Sequence, residues 1–191
     1  MDEQKLLTIE AWVLTQVGPR RFEHIRGVVQ MAGRLARVHG LPVLKAKTAA
    51  WLHDCAKEWP KKEMVRWIRR SGGKLDPQEK AMPGLWHPHA AEAAARLKWG
   101  IRDRALLEAV RCHTLGSPRM SPLARLLFVA DFVETGRRFP GVELARRTAF
   151  RGLDDAVRLK ASMTIGFLLE KNMKIHPRLL ETWNHFCGEV S

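Results

Sequence analysis

Apolar residues recur at three- and four-residue spacings along almost the whole chain, and no run of five or more residues alternates strictly as a half-buried strand would. That periodicity predicts an all-α fold. A first helix is expected from Asp2 to about Gln16. Gly18-Pro19 separates it from a second that ends near His39-Gly40, where glycine can take the left-handed conformation of a helix C-terminus. A third follows Pro42 and carries Ala46, Ala49, Ala50 and Ala56, small residues that permit close helix packing. Pro60 opens a fourth, which stops at Ser71-Gly72-Gly73. The stretch Gly72 to Gly84, with two prolines and three glycines, is predicted to be an irregular loop. Further helices are expected over Pro88 to Trp99, Asp103 to His113, Pro122 to Phe132, Val142 to Phe150 and Asp154 to Lys171, with a last one after Pro177. The chain has no internal repeat.

The same periodicity aims several polar residues inward. His24 is in register with Val28, Ala32 and Leu35, and His113 follows Leu106, Ala109 and Val110. Asp131 shares a face with Leu123, Leu127 and Phe128. A buried carboxylate costs several kcal/mol unless it is paired, hydrogen-bonded or bound to a metal. His53-Asp54 ends the alanine-rich third helix in the string Ala49-Ala50-Trp51-Leu52-His53-Asp54-Cys55-Ala56-Lys57. Neighbouring helical residues point about 100° apart, so this pair suits opposite sides of a metal pair, with the aspartate as bridge. One inward histidine is more often a satisfied core residue than a ligand. Several, with two aspartates on separate helices, favour a metal site between helices. Imidazole and carboxylate suit iron, manganese or another first-row divalent ion, and the lack of paired cysteines argues against structural zinc.

At 191 residues, 46% apolar and 28% charged, the chain is expected to form a single domain over 1–191. The apolar stretch Leu126 to Val133 is interrupted by Asp131, so no membrane span is expected, and the N-terminus lacks the features of a secretory signal. Three cysteines, Cys55, Cys112 and Cys187, are too few for a disulfide framework and suit a reducing, cytoplasmic compartment. The net charge of +13 and pI of about 10.4 favour polyanionic partners, whether nucleic acid, an acidic membrane surface or a phosphate-rich small molecule. The sequence implies no particular oligomeric state.

Beyond the His-Asp pair, the chain carries Arg20, His24, Trp86-His87, Cys112-His113-Thr114-Leu115-Gly116, Ala130-Asp131-Phe132-Val133-Glu134, Arg137 and Phe139-Pro140-Gly141-Val142. With Leu52 to Lys57, these segments resemble the YqeK family of HD-domain proteins, from about Pro19 to Asn184. The resemblance implies a helical HD-domain fold and a symmetrical bis(5'-nucleosyl)-tetraphosphatase that cleaves diadenosine tetraphosphate to two ADP. It implies one metal held by His24, His53, Asp54 and Asp131, a second by Asp54, His87 and His113, and iron as the metal. Where the family usually has glycine after the ligand histidine, this chain has Pro88 and then His89, which stays an alternative to His87.

Two cations in such a site lower the pKa of a bridging water and neutralise phosphate charge, so Asp54 is expected to be central to catalysis. Lys57, one turn past His53, and Arg20, one turn before His24, are placed to meet phosphate. Arg137 and Arg146 are further phosphate or nucleotide contacts by resemblance. Thr114 and Gly116 are expected to shape the loop at the second metal, with the Thr114 hydroxyl either on phosphate or on the helix end. His39, His176 and His185 are read as structural or exposed. Two alternatives remain: an HD phosphohydrolase acting on another nucleotide, or a basic adaptor that binds RNA or the ribosome.

Overall fold

A computed structural model describes residues 2–187, and among them only helices, turns and loops form. Helix α1 (Glu3–Leu14) is capped by the Asp2 side chain on the Lys5 amide, and α2 (Pro19–Val38) starts on a proline whose fixed φ suits a first turn. Helix α2 ends as expected, with Gly40 at φ 65°. Helix α3 (Val43–Leu52) stops one residue before the His-Asp pair, so His53 caps it and Asp54 lies in the turn beyond. Helix α4 covers Lys61–Arg70.

The expected loop after Gly72 is more ordered than its glycines and prolines suggested. Asp76 and Glu79 form a reciprocal capping box that closes a short helix α5 (Pro77–Lys80), and a 3-10 turn follows at Pro83–Leu85. The Asp-Pro-x-Glu spacing already carried that signal. Arg178 bridges Asp76 and Glu79 at 2.9 and 2.7 Å, and ties the segment to the last helix.

Helices α6 (His87–Leu97), α7 (Arg104–Cys112), α8 (Pro122–Val133), α9 (Val142–Arg151), α10 (Leu153–Glu170) and α11 (Pro177–Phe186) complete the chain. The most apolar of these, α8, is the centre of the fold and packs on α2, α3, α7, α9 and α10. Its buried face, with Leu126, Leu127 and Phe128 fully covered, meets Ile25, Val28 and Leu35 of α2 and Leu106 and Val110 of α7 in one core. The alanines of α3 and α6 are buried too, so backbones approach closely where those helices end at polar side chains. No helix among the described residues is long and apolar enough to cross a membrane.

Phe128→Ala should therefore destabilise the protein by about 3–5 kcal/mol in denaturant unfolding, with helical circular dichroism retained. A loss below about 1 kcal/mol would contradict the central position of α8.

Candidate metal centre

Three helix ends and residues within two further helices bring the inward polar residues to a single point. Helix α2 contributes His24, the turn after α3 contributes His53 and Asp54, the first residue of α6 is His87, the cap of α7 is His113, and α8 contributes Asp131. His24 Nε2 lies 3.1 Å from Asp131 Oδ1 and 3.9 Å from Asp54 Oδ2. His53 Nε2 lies 3.8 Å from Asp54 Oδ2 and 3.9 Å from Asp131 Oδ1. On the other side, Asp54 Oδ1 is 3.2 Å from His87 Nε2 and 3.4 Å from His113 Nε2, and those two nitrogens are 3.1 Å apart. The two oxygens of Asp54 thus face different histidine pairs.

The far nitrogen of every histidine is already engaged. Nδ1 meets the carbonyl of Ala50 from His53 at 2.6 Å, of Val110 from His113 at 2.7 Å and of Gly84 from His87 at 2.9 Å. His24 Nδ1 meets Glu134 Oε1 at 3.2 Å. A carbonyl or carboxylate oxygen only accepts, so each Nδ1 carries the proton and each Nε2 turns its lone pair into the centre. His24 Nε2, His53 Nε2 and Asp54 Oδ1 are buried there with no hydrogen-bond partner. Lone pairs converging without donors fit a cation. Donor atoms of His24, His53 and Asp131, and of His53, Asp54 and His113, fall within 4.8 Å of one another, so the residues present form candidate metal-binding groups.

The protonation states agree with this geometry. Burial lowers His53 to about 3 and His87 to about 4, which keeps both neutral near pH 7. Burial alone would raise the Asp54 carboxyl, but its histidine neighbours His53, His113 and His87 outweigh that effect and hold it well below the usual range. Asp131 is likewise held low against the effect of burial, chiefly by Lys160, with help from His24, His53 and Arg137. Neutral imidazole and ionised carboxylate are the forms that bind metals.

Cations surround the carboxylates. Arg21 Nη1 is 2.9 Å from Asp54 Oδ2, and Arg137 Nη2 is 3.0 Å from Asp131 Oδ1. Lys160, buried on α10, donates to the Phe128 and His113 carbonyls at 2.6 and 3.0 Å and to Asp131 Oδ2 at 3.3 Å. Lys57 Nζ sits 3.2 and 3.3 Å from the His87 ring nitrogens. Thr114 Oγ1 is 3.1 Å from His113 Nε2 and 3.4 Å from His87 Nε2. A cleft of about 920 Å³ opens beside His24 and is lined by Arg20, Arg21, Arg26, Arg137 and Arg138.

The other expected residues fall at different distances from the centre. Arg20 is exposed in the cleft, and its neighbour Arg21 touches Asp54 instead. Gly116 lies at φ 71° against α11, where a Cβ would come within 2.6 Å of Thr182, so its role is backbone shape. Arg146 does not reach the centre, because its guanidinium donates to the carbonyls of Val133, Glu134 and Arg137 and pins that turn. His89, two residues along α6 from His87, pairs with Glu79 at 2.9 Å and is not part of the centre. Pro88 falls in the first turn of α6, where a missing N–H costs nothing, and His87 stays buried. Glu134 and Lys160 were not singled out in the sequence. Lys160 was findable, since it shares the buried face of α10 with Ala156, Val157 and Ala161.

A sequence profile described as the HD domain matches residues 21–136. Two similar proteins carry the name symmetrical bis(5'-nucleosyl)-tetraphosphatase. The one from Halalkalibacterium halodurans strain C-125 is 40% identical over 99% of each chain. The one from Bacillus subtilis strain 168 is 36% identical over 91% of this chain and 93% of its own. A crystal structure from Clostridium acetobutylicum, described as a predicted HD superfamily hydrolase involved in NAD metabolism, superimposes with a TM-score of 0.89 at 31% identity, over 94% of this chain and 95% of that one.

Two outcomes follow from the buried charges. In metal-stripped protein, His53 and His87 take up protons only near pH 3 and 4, whereas an unfolded chain takes them up near 6.5. Their contribution to stability is therefore full above about 6.5 and declines as pH falls toward 4. The denaturant midpoint should drop over that interval, and His53→Asn should flatten the drop; a pH-independent midpoint would contradict neutral buried imidazoles. Lys160→Met, which leaves Asp131 without its buried cation, should cost about 3–5 kcal/mol in the same assay.

Proposed function

The chain belongs to the HD-domain family, and from that premise we propose that it hydrolyses diadenosine tetraphosphate symmetrically, giving two ADP, at a two-metal centre. The observation that carries the reading is the division of Asp54: Oδ2 faces His24 and His53, and Oδ1 faces His87 and His113. In this reading His24, His53, Asp131 and Asp54 hold one cation, and Asp54, His87 and His113 hold the other. Near-complete coverage of two relatives named for that activity supports the substrate. The all-nitrogen-and-oxygen donor set suits iron, with manganese as a workable substitute.

Bound divalent ions supply Lewis acidity and lower the pKa of a water at the phosphate. The protein's own residues do the rest. Glu134 and the carbonyls of Ala50, Gly84 and Val110 keep the four imidazoles in one tautomer, so the donor atoms are oriented before substrate arrives. Arg21 and Arg137, which neutralise Asp54 and Asp131 here, are the guanidinium groups nearest the centre and are suited to exchange carboxylate for phosphate oxygens. Lys57 is half-buried and its ammonium is lowered below the ordinary lysine value, first by burial. Its position beside His87 suits it to hold a proton against the departing ADP oxygen. The Thr114 hydroxyl adds a neutral donor on the same side, and the arginine-lined cleft receives the phosphate chain.

The test is a manganese- or iron-loaded assay with diadenosine tetraphosphate, its products resolved by ion exchange. ADP as sole product, lost on metal stripping, is expected. Asp54→Ala should lower turnover to the stripped-protein level and lose both metals by elemental analysis. AMP plus ATP, turnover confined to mononucleotides, or salt-sensitive RNA binding without any hydrolysis would each overturn the reading.

A further inference from the structure

The turn that carries Arg137 borders two grooves. One is the cleft beside His24; the other, of about 720 Å³, shares Thr135 and Arg138 with it and continues over α9. The second groove is lined by five arginines: Arg34, Arg138, Arg146, Arg147 and Arg151. Glu143 is the carboxylate among its described lining residues, and it is paired with Arg146. Arg146 is fixed on the backbone, and Arg138, though exposed, donates through Nη1 to the Thr135 and Arg137 carbonyls; with the exposed Arg34, Arg147 and Arg151 they leave a strong positive charge. The floor is not charged. Phe150 is half-buried there beside Met31, and the Arg34 guanidinium carbon stands 5.1 Å from its ring centroid.

An aromatic face with a guanidinium over it is a stacking platform for a planar base, and exposed arginines around it match phosphate. A tetraphosphate cleaved at its middle linkage must send a nucleoside away from the metals in each of two directions. The cleft beside His24 is one exit, and this groove continues it. We infer that the groove over α9 is a nucleotide subsite: it holds one adenosine end of the substrate, with the base on Phe150 and Arg34 and the adjoining phosphates on Arg138, Arg147 and Arg151. This rests on the dinucleotide reading of the metal centre. In that arrangement Arg146, which pins the turn between the grooves, positions the bridge over which the substrate passes.

The experiment titrates ADP into metal-loaded protein by calorimetry and measures steady-state kinetics on diadenosine tetraphosphate. The variants are Arg147→Ala/Arg151→Ala, which changes only exposed residues, and Phe150→Leu, which keeps the charge and removes the aromatic face. Wild type is expected to bind two ADP per chain and each variant one. KM should rise about tenfold, a loss of about 1.4 kcal/mol, with kcat unchanged. One ADP in all three proteins, or two in all three, would overturn the subsite. Unchanged ADP binding together with lost RNA binding would overturn it in favour of a nucleic-acid surface. Loss of one ADP site in the variants, in a protein that hydrolyses no dinucleoside tetraphosphate, would leave the subsite standing and sink the functional reading instead.

Discussion

Two ionised carboxylates, Asp54 buried and Asp131 largely covered, lie against a core of leucine, alanine and phenylalanine, and holding them there without leaving them uncompensated constrains everything nearby. Asp131 sits on α8, the helix that five others pack against, so its position is fixed by the centre of the fold. Lys160, Arg137 and His24 approach it from three other elements. Asp54 is met by Arg21 and by histidines on both sides. Protein groups supply enough positive charge to keep both groups ionised. They do not supply donors for every lone pair, because three buried donor or acceptor atoms at the centre stay unpartnered. That mismatch is the physical signature of a place for a cation.

Precision at the centre comes from helix ends. His53 and His113 follow the last helical residues of α3 and α7, and His87 is the first residue of α6. Each makes its Nδ1 contact with a carbonyl three residues earlier, at 2.6 to 2.9 Å. Carbonyls near helix ends have lone pairs free for such contacts. A local backbone rule is thereby converted into a fixed tautomer and ring direction. His24 lies inside a helix, where carbonyls are occupied, and uses the Glu134 carboxylate instead; Gly27 leaves the space, since a Cβ there would come within 2.5 Å of Glu134 Oε2. The exposed arginines outside this region are a separate feature, gathered along the turn after α8 and over α9, and they give the chain's positive charge a direction.

Much of the architecture was legible in the sequence because the signals were local. Helix boundaries follow Pro19, Gly40, Pro122 and Pro177, and apolar periodicity pointed His24, His113 and Asp131 inward, where they are found. The capping box at Asp76 was equally local and was masked by the glycines and prolines around it. The centre itself was only partly legible. Spacing could not choose Arg21 over Arg20, since residues three and four before His24 share a helix face and only the position of Asp54 selects between them. Nor could it show that Arg146 would be drawn onto three carbonyls, or that His89 would turn to Glu79. Apolar periodicity alone was enough to turn His24, His113 and Asp131 inward and to make the chemistry there imidazole and carboxylate. How Asp54 divides its two oxygens, and that Arg21 touches it, follows instead from how separate helices cross, because Arg21, His24, His87 and His113 reach it from 30 to 59 positions away in the chain.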